Sequence, residues 1–183
     1  MQGFVPGRSR NSSMQPIFEE IWFRFGEAEK EAKLLGQALA YFKSRAPAES
    51  APEWKYLAVG GIASGMEKVY SGIEKTLQII ANDLDGPPPI SGEGWHRRLL
   101  DRMALVVEGR RPAVLAPASV EKLEVLLGFR HRERNTYTAG LAEGRMLEIA
   151  DGIADAMNAV RADLTRFERA MTATPGDTQR SEK

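Results

Sequence analysis

The chain contains no cysteine, and only two of its 183 residues are histidine. The missing thiols exclude disulfide frameworks, zinc–thiolate sites, iron–sulfur clusters and cysteine nucleophiles. Charge of one sign is also missing: 25 Lys and Arg stand against 25 Asp and Glu. No global field therefore draws the protein to nucleic acid or an anionic membrane, and an anionic partner must be held by local charge. The longest apolar stretch, around Tyr56 to Ala63, is far short of the roughly 20 residues that span a bilayer, so no membrane insertion is expected. Met1 to Ser13 carry Arg8 and Arg10 among Gly, Pro and Ser without the apolar core of a secretory signal, and a cytoplasmic setting is expected. There is no Gly-rich phosphate loop, no Ser-His-Asp signature, no recognisable carboxylate pair, no internal repeat and no strand-like alternation.

What remains is helical periodicity. With 43% hydrophobic residues the chain can build one continuous core. The expected layout is a disordered tail over residues 1–15, one helical bundle over 16–173 and a second disordered tail over 174–183. Met14 is an alternative start of translation to Met1. Pro16 suits the first turn of a helix, and Ile17, Ile21, Ala28, Leu35, Leu39 and Phe42 follow at spacings of threes, fours and sevens to about Arg45. Pro47 and Pro52 separate this helix from a second, whose row Ile62, Met66, Val69, Ile73, Leu77, Ile80 and Leu84 keeps a clean 3.6-residue period. Asp85-Gly86-Pro87-Pro88-Pro89 must turn. A shorter helix over about 92–108 sets Trp95, Leu99, Met103 and Val106 on one side, and Gly109 and Pro112 close it. Pro117 opens a fourth helix, whose row Val120, Leu123 and Leu127 runs into Arg130, Arg134 and Tyr137. A fifth carries Met146, Ile149, Ile153, Met157, Val160, Leu164, Phe167 and Met171. The fold class expected is all-α, an up-and-down bundle of about five helices.

Gly61 and Gly65 form a small-xxx-small pair, which in a soluble bundle points to close helix approach. Glu93 and His96 have the spacing of half a di-iron motif, but the other half is missing, so no metal site is expected. Trp95 is expected to be a core anchor. The chemistry is concentrated in Phe129-Arg130-His131-Arg132-Glu133-Arg134-Asn135-Thr136-Tyr137, three arginines, a histidine and a tyrosine near a helix end. A solvated basic turn is the plain reading of such a run; an anion or nucleic-acid site is the other.

Three pieces of the chain, Ala63-Ser64-Gly65-Met66-Glu67-Lys68-Val69-Tyr70-Ser71-Gly72-Ile73-Glu74-Lys75, Gly94-Trp95-His96 and Gly128-Phe129-Arg130-His131, resemble the HepT-like branch of the HEPN superfamily over roughly residues 57–150. The resemblance implies a helical bundle that forms a homodimer, and a metal-independent endoribonuclease, without cofactor, governed by a partner antitoxin, often a minimal nucleotidyltransferase. The family's motif is an arginine, four to six residues, a histidine and, two positions on, a tyrosine. Arg130 and Tyr137 match it, His131 matches the polar residue after the arginine, and Asn135 stands where the histidine is expected. An amide cannot titrate, and loss of a placed acid–base group typically costs about 10² to 10⁴ in rate. The resemblance thus leaves two readings: a ribonuclease in which Arg130 stabilises phosphate charge, His131 or Asn135 positions the 2′-hydroxyl and Arg132 and Arg134 hold RNA, or a catalytically degenerate protein that acts by binding, as an antitoxin-like subunit. It also makes Tyr137 the candidate hydroxyl for AMP transfer by the nucleotidyltransferase. On a regular helix Arg130 and Asn135 lie about 140° apart, so one protomer cannot aim both at one phosphate without a bend, whereas a two-fold dimer brings two copies of the segment together.

Overall fold

The computed structural model describes residues 10–46, 51–86, 92, 94–135 and 143–173, with the backbone alone for 10–13 and 131–135. These residues form an all-α bundle of six helices: α1 (Arg10–Arg45), α2 (Pro52–Ile80, continued as a π-turn over Ala81–Asp85), α3 (Trp95–Ala104), α4 (Pro117–Asn135), α5 (Glu143–Asp151) and α6 (Ile153–Thr172). No strand occurs among the described residues, only the isolated bridge between Val107 and Arg111. No described helix is long and apolar enough to cross a membrane.

The frame is the pair α1 and α2. On α1 the buried residues Phe18, Ile21, Phe25, Ala28, Leu35, Leu39 and Phe42 follow a heptad spacing, and on α2 Ile62, Met66, Val69, Ile73, Leu77 and Ile80 do nearly the same. Such rows pack as a narrow seam. Where the two helices come closest, a Cβ added to Gly72 would lie 2.7 Å from Ala28 Cβ, and one added to Gly65 would lie 3.0 Å from Leu35 Cδ1. Gly61 has open space around it. The close approach expected from the glycine pair therefore holds for Gly65 and not for Gly61, and its tightest point is Gly72.

Three boundaries differ from those expected. α1 begins at Arg10, so Pro16 lies inside the helix. The ring removes one amide donor close to the helix start, and the buried side chains of Met14 and Phe18 on either side of it anchor this turn to the core. The helix expected over 92–108 ends at Ala104, which leaves Val106 exposed. Its last carbonyls are taken by the following loop: Val114 and Leu115 donate to Met103 O at 2.8 and 3.0 Å, and the Arg111 guanidinium donates to Arg102 O and Leu105 O at 3.0 and 2.9 Å. The fifth expected helix is divided at Gly152, whose N–H bonds Ile149 O at 3.1 Å, so that α5 and α6 share one inward stripe across a turn.

The same buried arginine ties α3 to the end of α2. The Asp85 carboxylate accepts from Arg111 Nε and Nη2 at 2.8 and 2.6 Å and from Arg102 Nε at 3.0 Å, with the Arg111 and Asp85 side chains 0% and 2% exposed. Burial by itself would raise the Asp85 carboxyl, but the hydrogen bonds and charges of Arg111 and Arg102 outweigh it and hold the group below the usual carboxylate range. At the other end of the loop, Asp163 on α6 accepts from Ala116 N at 2.8 Å, which satisfies a free amide at the start of α4.

Two expectations follow. Gly72→Ala should destabilise the protein by about 1–3 kcal/mol through overpacking, while Gly61→Ala, in open space on the same helix, should stabilise it by about 0.5–1 kcal/mol; urea unfolding of the two variants reads the opposite signs. Because the folded carboxyl of Asp85 is depressed, its contribution is complete above the ordinary carboxylate pKa of about 3.9 and is lost as pH falls through the folded value. Asp85→Asn should therefore cost about 3–5 kcal/mol near neutrality, leaving Arg111 buried without its anion, and should flatten the acid limb of the stability–pH curve measured by chemical denaturation.

Candidate functional site

Helix α4 carries Leu123, Leu126 and Phe129 into the core. Arg130 lies seven positions after Leu123 and four after Leu126, so the stripe that buries leucines also turns its guanidinium inward. On α2, Glu74 stands four residues after Tyr70 and three before Leu77, both buried, and is itself 6% exposed. His96 occupies the first turn of α3, which opens after Gly94 at φ 73°. Three helices thus deliver a guanidinium, a carboxylate and an imidazole to one point.

The contacts are short. His96 Nδ1 is hydrogen-bonded to Glu74 Oε1. Arg130 Nη1 donates to Glu74 Oε2 at 3.3 Å and lies 3.1 and 3.3 Å from Nδ1 and Nε2 of His96. Nearly equal distances to both ring nitrogens put the guanidinium nitrogen over the imidazole ring rather than along either lone pair. The Trp95 ring lies against the same imidazole, with centroids 3.7 Å apart. Arg130 Nε is 3.6 Å from Glu67 Oε1, and the guanidinium carbon lies 5.8 Å from the centre of the Tyr70 ring. Both His96 and Arg130 keep 14% of the side chain exposed.

Two polar atoms of this cluster are buried with no hydrogen-bond partner among the described residues, Tyr70 Oη and Arg130 Nε. Burial, and after it the negative charge of Glu74, pushes the Tyr70 hydroxyl far above its ordinary pKa, with Arg130 acting in the opposite sense. The environment of Tyr70 thus favours the neutral phenol. Among the described residues no three His, Asp or Glu side chains converge to hold a metal ion.

Of the residues singled out from the sequence, Arg130 is in this cluster, facing inward rather than into solvent as a basic turn would. His131, Arg132, Arg134 and Asn135 follow on α4, whose backbone is helical to Asn135; their side chains, together with Tyr137 and Glu93, lie outside the described residues. The unbroken helix keeps the angular offset between Arg130 and Asn135. Trp95 packs on the core while staying partly exposed. Glu74 and Tyr70 received no role from the sequence, and His96 was weighed only as a metal ligand. One signal pointed to Glu74: a carboxylate on the inward stripe of the cleanest amphipathic helix requires a buried partner.

A family model for HepT-like proteins matches residues 61–171, more than half of the chain and inclusive of Glu67, Tyr70, Glu74, His96 and Arg130. No curated protein and no solved structure matches. This match, over more than half of the chain, leads to one conclusion, that the chain belongs to the HepT-like family of the HEPN superfamily.

Proposed function

We propose that this HepT-like protein is a metal-independent endoribonuclease, the toxin-type member of a two-component module, working as a homodimer beside a nucleotidyltransferase antitoxin. The observation that carries the reading is the cluster itself: a guanidinium held against an imidazole and a carboxylate supplies, without a metal, the cation and the proton-transfer groups that cleavage of RNA at its own 2′-hydroxyl requires. In this reading Arg130 meets the charge that grows on the phosphate, Arg132 and Arg134 hold the RNA backbone, and His131 or Asn135 positions the 2′-hydroxyl in a cleft shared by two protomers.

A second reading, a degenerate HEPN protein that acts by binding its partner, is favoured by two particulars. Asn135 cannot titrate, and Glu74 and Glu67 already neutralise Arg130.

The purified protein, freed of any partner, should cleave single-stranded RNA in the presence of EDTA and leave 2′,3′-cyclic phosphate ends. Arg130→Ala should lower the rate by about 10² or more, and growth arrest on expression should disappear with it. Arg130 also balances a buried carboxylate, so the variant's thermal melt has to accompany the assay. RNA that stays intact under every condition would leave the binding role as the reading to keep. For the module, co-expression with the nucleotidyltransferase should add one AMP, transferred from ATP with release of pyrophosphate, to the peptide containing Tyr137. Intact-peptide mass spectrometry detects it, and an unmodified peptide removes Tyr137 from the account.

A further inference from the structure

The reading above does not say which titratable group takes the 2′-hydroxyl proton: Asn135 cannot, and the cluster offers both an imidazole and a carboxylate. We infer that His96 is that base, through Nε2, and that Glu74 is its positioning residue. The inference rests on the ribonuclease reading and goes beyond it by assigning the proton transfer to α3, outside the arginine-rich segment of α4.

Tautomer logic gives the first step. An ionised carboxylate only accepts hydrogen bonds, so the bond between Glu74 Oε1 and His96 Nδ1 puts the ring proton on Nδ1. In the neutral ring Nε2 then carries the free lone pair. Arg130 does not consume it, since Nη1 stands over the ring at 3.1 and 3.3 Å from the two nitrogens rather than in line with Nε2. The ring is fixed by three neighbours, the Glu74 carboxylate, the Trp95 indole and the Arg130 guanidinium, and the side chain as a whole keeps 14% of its surface exposed. A base locked in tautomer and orientation by a carboxylate, with a cation beside it, is the arrangement that proton abstraction next to a phosphate needs.

The step balances with solvent water as the acid. The 2′-O–H bond breaks and its proton goes to Nε2, the 2′-oxygen forms a bond to phosphorus, and the bond from phosphorus to the 5′-oxygen breaks. The leaving oxygen takes a proton from water, and the hydroxide left behind is neutralised by the proton on Nε2, which returns the ring to its starting state. Arg130 faces the phosphate charge in the transition state. The charged groups against the imidazole are Glu74 from α2 and Arg130 from α4, and Arg130 in turn meets Glu67 and Tyr70 of α2.

Two variants of the full chain test this on a labelled RNA oligonucleotide with EDTA present. His96→Asn keeps an N–H able to reach Glu74 and removes the titrating nitrogen; the rate should fall by about 10² to 10⁴ with an unchanged thermal melt. Glu74→Gln keeps a hydrogen-bond acceptor and removes the charge that steadies the imidazolium, so the acid limb of the pH–rate profile should move to lower pH, a change that a purely structural carboxylate would not produce. Wild-type cleavage that His96→Asn leaves within about threefold overturns this inference and leaves the ribonuclease reading standing. Wild-type protein that leaves RNA intact overturns both. If His96→Asn fails to fold, the Glu74→Gln profile decides, and an unmoved acid limb counts against His96.

Discussion

The bundle has to bury the carboxylate of Glu74, and much of the site's arrangement answers that requirement. A lone anion at this depth would be costly, and each of its oxygens has a partner: one the imidazole of His96, the other the guanidinium of Arg130. The partners come from α3 and α4, so neutralising one side chain of α2 fixes the angle and height of two other helices. Asp85 and Asp163 perform the matching task at the ends of the loop that joins them. Asp85 gathers Arg102 and Arg111 beneath the end of α3, and Asp163 receives the first amide before α4. Three buried carboxylates on two helices therefore hold in place the elements that carry the cluster.

Much of the fold was legible as periodicity because long rows of apolar residues state which face of a helix is inside. α2 and α6 follow their rows closely, and Pro117 opens α4 as its chemistry requires. The misjudged boundaries share a cause. At Ala104 the helix gives its last carbonyls to Arg111 and to the amides of Val114 and Leu115, a tertiary event that no local pattern announces. At Arg10 the burial of Met14 carries the helix through a proline that, judged alone, marks a start. Gly61 and Gly65 looked alike in sequence, yet only Gly65 faces α1; nothing in the spacing says that Gly72 is the tight point, because that depends on Ala28 standing opposite.

The candidate site was legible in part for the same reason. Arg130 stood out because charge crowds the end of α4, but a crowd of arginines does not reveal which one turns inward. Its position seven after Leu123 and four after Leu126 does. His96 was harder to read, since a lone histidine in the first turn of a short helix has no local partner, and its meaning comes from Glu74, 22 residues earlier in the chain. Glu74 itself was hidden in plain view: amphipathic bookkeeping counts the apolar positions of a stripe and passes over the polar residue among them.

That buried carboxylate also sets the electrostatics that any anionic partner meets. Glu67 and Glu74 against Arg130, with the imidazole neutral, leave the cluster with one excess negative charge, and a protonated imidazole balances it. A phosphate approaching Arg130 therefore meets a guanidinium whose charge is already shared, and attraction at this point alone is weak. Two further arginines, Arg132 and Arg134, follow within four positions in the sequence, and in the proposed ribonuclease reading they hold the polyanion while the cluster contributes geometry. That proposed division calls for an extended chain of phosphates rather than a small anion, since contacts to phosphates along a backbone add up where one shared guanidinium attracts weakly.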